Sequence, residues 1–309
     1  MGTRLAFIFP GQGSQAVGMG KVFYDSWAPA RRCFQTADEI CEAPISRTCF
    51  EGPHEQLTRT EIAQPAIFTV SYVCMAYALE RGLEPSVVSG HSLGEYSALA
   101  AARVIDFETG VELVSRRARL MAEAAGAGDG MAAVIGLAVE EVRAVVDSIA
   151  GVVLANVNCP GQVVLSGAKK GLARVEAPLK DAGARRVVPL AVSGAFHSKA
   201  MERANKELAP SLEAAIGRDP VIPIVQNASG KAARKASVVL SNLKRQMTSP
   251  VLWEQCVSCM DAMRVDSYVE LGPGGVLKGL VERCLRGSHV WSVDEPEGVY
   301  EVEEMMMDA

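Results

Sequence analysis

Five consecutive apolar residues, Leu5-Ala6-Phe7-Ile8-Phe9, run without a polar break into Pro10-Gly11. A continuous run closed by turn residues predicts a strand covered on both faces, the kind found inside a parallel sheet. Shorter strands are predicted at Ser86 to Ser89, Val221 to Val225 and Ser267 to Leu271, the last ending in Gly272-Pro273-Gly274-Gly275. That glycine cluster lacks the spacing of a P-loop and reads as a structural strand-to-helix turn. Helical stretches, among them Pro65 through Glu80 and Asp106 to about Ala125, separate the strands. Alternation of this kind predicts an α/β layer structure with a parallel-sheet core.

Between Gly130 and Val192 the rhythm changes. Met131 to Leu137, Val152 to Val157, Gln162 to Ser166 and Arg186 to Val192 read as strands, with helices at Val139 to Ile149 and Gly171 to Ala182. The order βαββαβ is the split βαβ, ferredoxin-like arrangement. The glycine-rich stretch from Gly126 to Gly130 serves as entry linker and Ser193-Gly194 as exit. The expected division is a large α/β subdomain from residues 1–129 and 193–293, with a small ferredoxin-like α+β subdomain at 130–192. The Glu-rich tail, 294–309, with Met305-Met306-Met307, is expected to be acidic and disordered.

The helix from Asp106 carries three neighbouring arginines that its periodicity separates. Val111, Val114, Ala118, Met121 and Ala125 form one apolar face, and Arg116 and Arg119 fall with Glu112 and Glu123 on the other. Arg117 lies roughly 70° from the centre of the apolar stripe, a flank position. An arginine there needs an anionic partner. It is either a structural ion pair or snorkelling side chain, or a fork that grips a substrate carboxylate.

With 309 residues, 49% hydrophobic and 22% charged, the chain can bury a sizeable core. A net charge of -5 argues against a nucleic-acid binder and for small molecules or a protein partner. The run at Leu5 to Phe9 is too short for a signal-peptide core, and no run approaches the roughly eighteen apolar residues of a membrane helix, so a cytoplasmic protein is expected. The eight cysteines are scattered, and Cys256-Val257-Ser258-Cys259 has no second pair or spaced histidines beside it. Reduced thiols without a metal are expected.

Gly90-His91-Ser92-Leu93-Gly94 follows Val87-Val88 and opens a small-residue helical stretch from Glu95 to Ala102. This is the sequence form of a nucleophile elbow, in which flanking glycines let a serine stand at the tip of a strand-to-helix turn. The bland reading is a glycine-rich turn with a capping serine. On the sharper one Ser92 is the nucleophile, and the N–H of Leu93, at a helix N-terminus, can face a developing oxyanion.

A serine nucleophile needs a base, and the chain has four histidines. His91 adjoins the serine and should pack against the turn with its ring away from the Ser92 oxygen. His54 sits in a polar loop and His289 at the start of a late strand. His197, in Ser193-Gly194-Ala195-Phe196-His197-Ser198, falls where the insert rejoins the larger unit, at a cleft or as a helix cap. Gln12, in Phe9-Pro10-Gly11-Gln12-Gly13-Ser14-Gln15, lies just past the first core strand. Ligands of α/β sheets bind beyond the carboxyl ends of strands, so its N–H can serve as a second oxyanion donor, unless the segment is only a polar turn.

Taken together these residues resemble the malonyl-CoA:acyl carrier protein transacylase family of fatty acid synthesis, and also the acyltransferase domains of polyketide synthases. The resemblance runs to about residue 285. It rests on Pro10-Gly11-Gln12-Gly13-Ser14-Gln15, Gly90-His91-Ser92-Leu93-Gly94-Glu95, Arg117-Ala118-Arg119-Leu120-Met121, Ala195-Phe196-His197-Ser198, and Gln246 ahead of Pro250-Val251-Leu252-Trp253. It implies a hydrolase-like large subdomain with the site between it and the insert. It further implies an acylated Ser92, His197 as base, Arg117 on the malonyl carboxylate, Gln246 orienting the histidine, and Gln12 and Leu93 as oxyanion donors. Phe196 and Leu93 resemble the malonyl-selective pattern. Malonyl-CoA and the phosphopantetheine arm of acyl carrier protein are the implied substrates, with no metal or redox cofactor, and the protein is expected to be a monomer. An acidic carrier calls for a basic patch, for which Lys231, Arg234, Lys235, Lys244 and Arg245 are candidates.

Rival readings use the same residues. A serine esterase or thioesterase would send the acyl group to water, yet it has no use for a buried cation in its acyl pocket. A patatin-like lipase would pair Ser92 with Asp129. A non-catalytic carrier-binding module has no need to keep Ser92, His197 and Arg117 together.

Overall fold

A computed structural model of the chain describes residues 4–308. Its strands, in chain order, are β1 (Leu5–Phe9), β2 (Pro85–Gly90), β3 (Asp129–Ile135), β4 (Val152–Cys159), β5 (Gln162–Ala168), β6 (Arg186–Pro189), β7 (Ile224–Gln226), β8 (Lys231–Ala233), β9 (Val251–Leu252), β10 (Ser267–Leu271) and β11 (His289–Val293). They form two sheets, one ordered β11-β10-β1-β2-β7-β8 and the other β6-β3-β5-β4-β9.

In the first sheet β1 lies between β10 and β2, parallel to both, and all five of its residues are buried. β11 and β7 extend the parallel set outward, and β8 closes one edge as the antiparallel arm of a hairpin. The helices Thr60–Glu80 and Phe107–Ala124 contribute to the core on one side of this sheet, and Trp253–Ala262 and Val276–Cys284 to the core on the other. Thr60–Glu80 spans 21 residues at a mean hydropathy of 1.5, so one helix does have the length and composition to cross a membrane, contrary to the expectation above. Of its most apolar window, 72% is buried, which makes it a central helix of the core. It begins at Thr60, ahead of the predicted start at Pro65.

In the second sheet β3 pairs antiparallel with β5 and β6, and β4 pairs antiparallel with β5. Helices Val139–Val146 and Lys169–Asp181 supply the βαββαβ order. Their buried side chains, Val142, Val146, Leu172, Val175 and Leu179, share a separate core with Val134, Val163 and Leu165. Outside that stretch, β9 adds to β4 in parallel, so a segment from beyond residue 192 belongs to the smaller sheet.

The tail differs from its expectation. Residues Pro296–Asp308 form a helix in which Val299 and Val302 are fully buried. Glu303 takes two hydrogen bonds from Arg81, each 2.9 Å, and the hydroxyls of Tyr300 and Tyr77 are 2.8 Å apart. Acidic composition suggested disorder, but the apolar residues fall on one helical face and dock onto Thr60–Glu80.

Candidate active site

β2 delivers the chain to a tight turn, and the helix Gly94–Ala101 leaves it. Ser92 sits at the tip with φ +51°, in the left-handed region that non-glycine residues rarely occupy. A Cβ on Gly90 would lie 2.0 Å from the carbonyl group of Gly94, and one on Gly94 would lie 2.1 Å from the carbonyl oxygen of Phe9. Only glycine lets strand, turn and helix approach this closely. The side chain of Asn227 clasps the turn: the Ser92 N–H donates to Asn227 Oδ1 at 2.7 Å, and Asn227 Nδ2 donates to the Gly90 carbonyl at 2.7 Å.

His197 Nε2 is 2.8 Å from Ser92 Oγ. Its Nδ1 faces two acceptors, the backbone carbonyls of Gln246 at 3.1 Å and Ser249 at 3.2 Å. Carbonyls only accept, so Nδ1 carries the proton, and Nε2 is left to accept from the serine hydroxyl. Burial, then the nearby Arg117 cation, push the imidazole down to about 3. The ring is therefore neutral at physiological pH, the state a general base requires.

Arg117 stands on the helix Phe107–Ala124, whose start is capped by Asp106 accepting from the Thr109 N–H at 2.9 Å. Where periodicity predicts a flank, the guanidinium is only 1% exposed, whereas Arg116 and Arg119 are exposed as expected. Nη1 donates to Gln64 Oε1 at 2.6 Å, and Nη2 donates to Ser92 Oγ and Gln246 Oε1, each at 3.1 Å. Nε has no partner, and these contacts are all neutral, with no ion pair to Arg117 among the described residues. The Tyr96 ring lies 5.6 Å away. Burial lowers the pKa of this guanidinium, an unfavourable situation that an incoming anion would relieve.

A cavity of about 100 Å³ is lined by Gln12, Ser92, Leu93, Arg117, Phe196 and His197 among others. A second cavity, of about 410 Å³, shares Gln12, His91, Asn156, Leu190 and Val192 with it and follows the seam between the two sheets. A third, of about 490 Å³, lies between helices at Ile40, Glu112 and Ser211 and holds none of these residues. At the reactive end, the backbone N–H groups of Gln12 and Leu93 donate to nothing among the described residues. The Gln12 amide donates to Thr60 Oγ1 at 3.2 Å. The loop bearing Gln12 is backed by the glycine cluster: a Cβ on Gly274 would lie 2.7 Å from the Ser14 carbonyl.

Gln246 meets His197 through its backbone carbonyl, while its side chain turns the other way. Oε1 takes the bond from Arg117, and Nε2 donates to the Ser92 carbonyl at 2.7 Å and to Glu95. Sequence reasoning missed Glu95, Asn227 and Gln64. Glu95 carried a signal, a charged residue inside an otherwise small and apolar helix start; Asn227 and Gln64 carried none. His91 donates from Nε2 to Asn158 Oδ1 at 3.0 Å and packs edge-on against Trp253. His54 and His289 are exposed, and Asp129 accepts from the Gly126 N–H, closing its own loop. All eight cysteines are free.

An elbow serine with a buried histidine and arginine, on this pair of sheets, defines an acyltransferase: residues 6–300 match the family described as acyl transferase domain. The chain is 41% identical over 302 residues to malonyl CoA-acyl carrier protein transacylase of Bacillus subtilis (strain 168), covering 96% of this chain and 95% of that one. An acyl carrier protein S-malonyltransferase from Vibrio cholerae superposes with a TM-score of 0.93 at 37% identity, covering 97% and 100% of the two chains. PlMCAT, a malonyl-transacylase solved in complex with the type II PKS acyl-carrier protein AntF, superposes with 0.94 at 35% identity, covering 98% and 100%. The chain belongs to the malonyl-CoA:acyl carrier protein transacylase family.

Proposed function

We propose that the protein moves the malonyl group from malonyl-CoA to the phosphopantetheine thiol of acyl carrier protein, supplying malonyl carrier for fatty acid elongation. The observation that carries this reading is Arg117, a buried cation with no ion pair among the described residues, whose Nη2 reaches the oxygen of Ser92. An acyl group that ends in a carboxylate can satisfy guanidinium and nucleophile together.

His197 Nε2 takes the proton as Ser92 Oγ attacks the thioester carbon. The oxyanion that forms is met by the N–H groups of Leu93 and Gln12, donors that have no other bond among the described residues and are worth about 3 kcal/mol each in comparable sites. The C–S bond breaks, the proton on His197 passes to the leaving thiolate, and CoA departs from a malonyl-serine ester. The carrier thiol then gives its proton to His197, attacks the ester, and the proton returns to Ser92 as the bond to Oγ breaks. Gln246 and Ser249 carbonyls keep the imidazole in the tautomer both halves need. The seam cavity suits a pantetheine arm, and Phe196 walls the acyl pocket. These steps call on no metal or redox cofactor and suit a cytoplasmic monomer. Of the basic candidates for carrier docking, Lys235 and Lys244 are engaged by Asp219 and Glu213, and Arg245 donates to Asn242 Oδ1, which leaves exposed Lys231 and Arg234 the better placed.

Intact-protein mass spectrometry after brief mixing with malonyl-CoA, with peptide mapping and a chase of phosphopantetheinylated carrier, tests the reading. A malonyl adduct on Ser92 that moves to the carrier is the expected result. An adduct lost preferentially to water would favour the hydrolase, and no adduct would leave a binding module.

A further inference from the structure

The steps above leave unused a carboxyl group in the middle of the site. Glu95, in the first turn of the helix Gly94–Ala101, is 1% exposed. Its Oε1 accepts the Asn227 N–H at 2.8 Å, and its Oε2 accepts from Gln246 Nε2. Asn227 takes the Ser92 N–H, and Gln246 reaches the Ser92 carbonyl. These bonds close a ring around the strained peptide of the nucleophile, with Glu95 joining its two halves.

The ring has a fixed polarity. A guanidinium only donates, so Gln246 must turn Oε1 toward Arg117 and Nε2 toward Glu95. Both Glu95 oxygens then face N–H donors, an arrangement that favours the ionised carboxylate; protonation would weaken one of the two acceptors and add an O–H that needs a partner of its own. The Gln246 amide also stands between the two charges. Glu95 balances Arg117 at one remove without occupying it, so the guanidinium keeps its capacity to bind an anion.

Resting on the reading of Ser92 as the acylated residue, we propose that Glu95 is a positioning residue: its carboxylate fixes the Gln246 amide, and through it holds the Ser92 peptide and the Arg117 guanidinium ready for a carboxylated acyl group. The groups that face it are Arg117 from the helix Phe107–Ala124, Cys256 from Trp253–Ala262, Tyr96 beside it, and the Asn227 N–H. Burial pushes Glu95 up to about 7, against the pull of the Asn227 and Gln246 bonds and of Arg117. An acid limb in the acylation rate near neutral pH is therefore expected from Glu95, with His197 held lower.

The test is the single-turnover rate of Ser92 malonylation by the full chain, followed by rapid quench and mass spectrometry from pH 5 to 9. The wild-type rate is expected to fall as pH drops through 7. Glu95→Gln is expected to be about 10-fold or more slower at pH 8, with a flat profile near the wild-type acid level and a loss greater for malonyl than for acetyl donor. A Glu95→Gln protein that keeps the wild-type rate and acid limb overturns the proposal. Should that variant not fold, Gln246→Met breaks the same relay and should flatten the same limb; an unchanged limb there also overturns it. Absence of any Ser92 adduct in the wild type would instead remove the underlying reading.

Discussion

The two sheets divide the labour of the site unequally. The parallel sheet and its connections supply Ser92, Arg117, His197, Glu95, Asn227 and Gln246, all held by side chain-to-backbone or side chain-to-side chain bonds. The smaller, largely antiparallel sheet and the segment that leaves it add walls only: Met131, Asn156 and Leu190 on the inner cavity. β1 is buried along its whole length, whereas β6 is exposed at both ends. The polar groups gathered past the carboxyl ends of β1 and β2, among them Arg117, His197 and Gln246, are buried and have little room to relax. An edge strand such as β6 can vary its lining at little cost to the core. Reaction is thus fixed by the rigid half, and shape by the more tolerant one.

The sharpest way to break this contrast is Ser92→Ala, which should abolish the malonyl adduct and lower transfer by roughly 10⁴-fold or more, measured as carrier malonylation. Gly90→Ala should come next, because its Cβ falls 2.0 Å from Gly94. Loss of activity with a lowered Tm is expected, and a fully active variant would mean that the elbow can shift. Arg117→Ala should cost malonyl transfer about 10²-fold relative to acetyl transfer, in side-by-side assays; equal loss of both would remove the carboxylate clamp.

The pH dependence of stability sharpens the comparison further. The folded state holds His197 near 3, below its ordinary 6.5. The stability this residue confers is complete above pH 6.5 and is lost as pH falls through 6.5 toward 3, because the unfolded chain binds a proton the fold refuses. At pH 5 the His197 contribution should be on the order of 2 kcal/mol, read in urea unfolding as the difference between wild type and His197→Asn in the change from pH 7 to 5, because Glu95, held up to about 7, shifts stability the other way. The smallest effect is expected on the other sheet: Asn158→Ala removes the bond to His91 and should cost about 1 kcal/mol of stability, with a change in transfer of less than about 10-fold.

What the chain made legible follows the same division. The continuous run at β1, the glycine-flanked Ser92 and the periodicity around Arg117 are local signals, and each is where the reading places it or one step deeper. β3 to β6 were legible because alternation and turns are local too. The ring around Ser92 was not, since Asn227 and Gln246 meet Glu95 across more than a hundred residues, and nothing at any one of those positions reports the others. The parallel pairing of β9 with β4 was hidden for the same reason, in a strand of two residues. At the tail, composition outweighed pattern: the glutamates stand out on reading, the buried valines only on docking.

The segment from Gln246 to Leu252 has a mechanical meaning. At one end its carbonyls grasp the imidazole, and at the other β9 is woven into the smaller sheet. Only a few residues lie between, too few to absorb slack. If the smaller sheet rocked away from the larger one and carried β9 with it, the pull would draw the Ser249 carbonyl from His197 and loosen its aim at the serine. Because Leu252 also donates to the Asn227 carbonyl, this short stretch is a splint across both sheets, and the aim of the imidazole is referred to the joint between them.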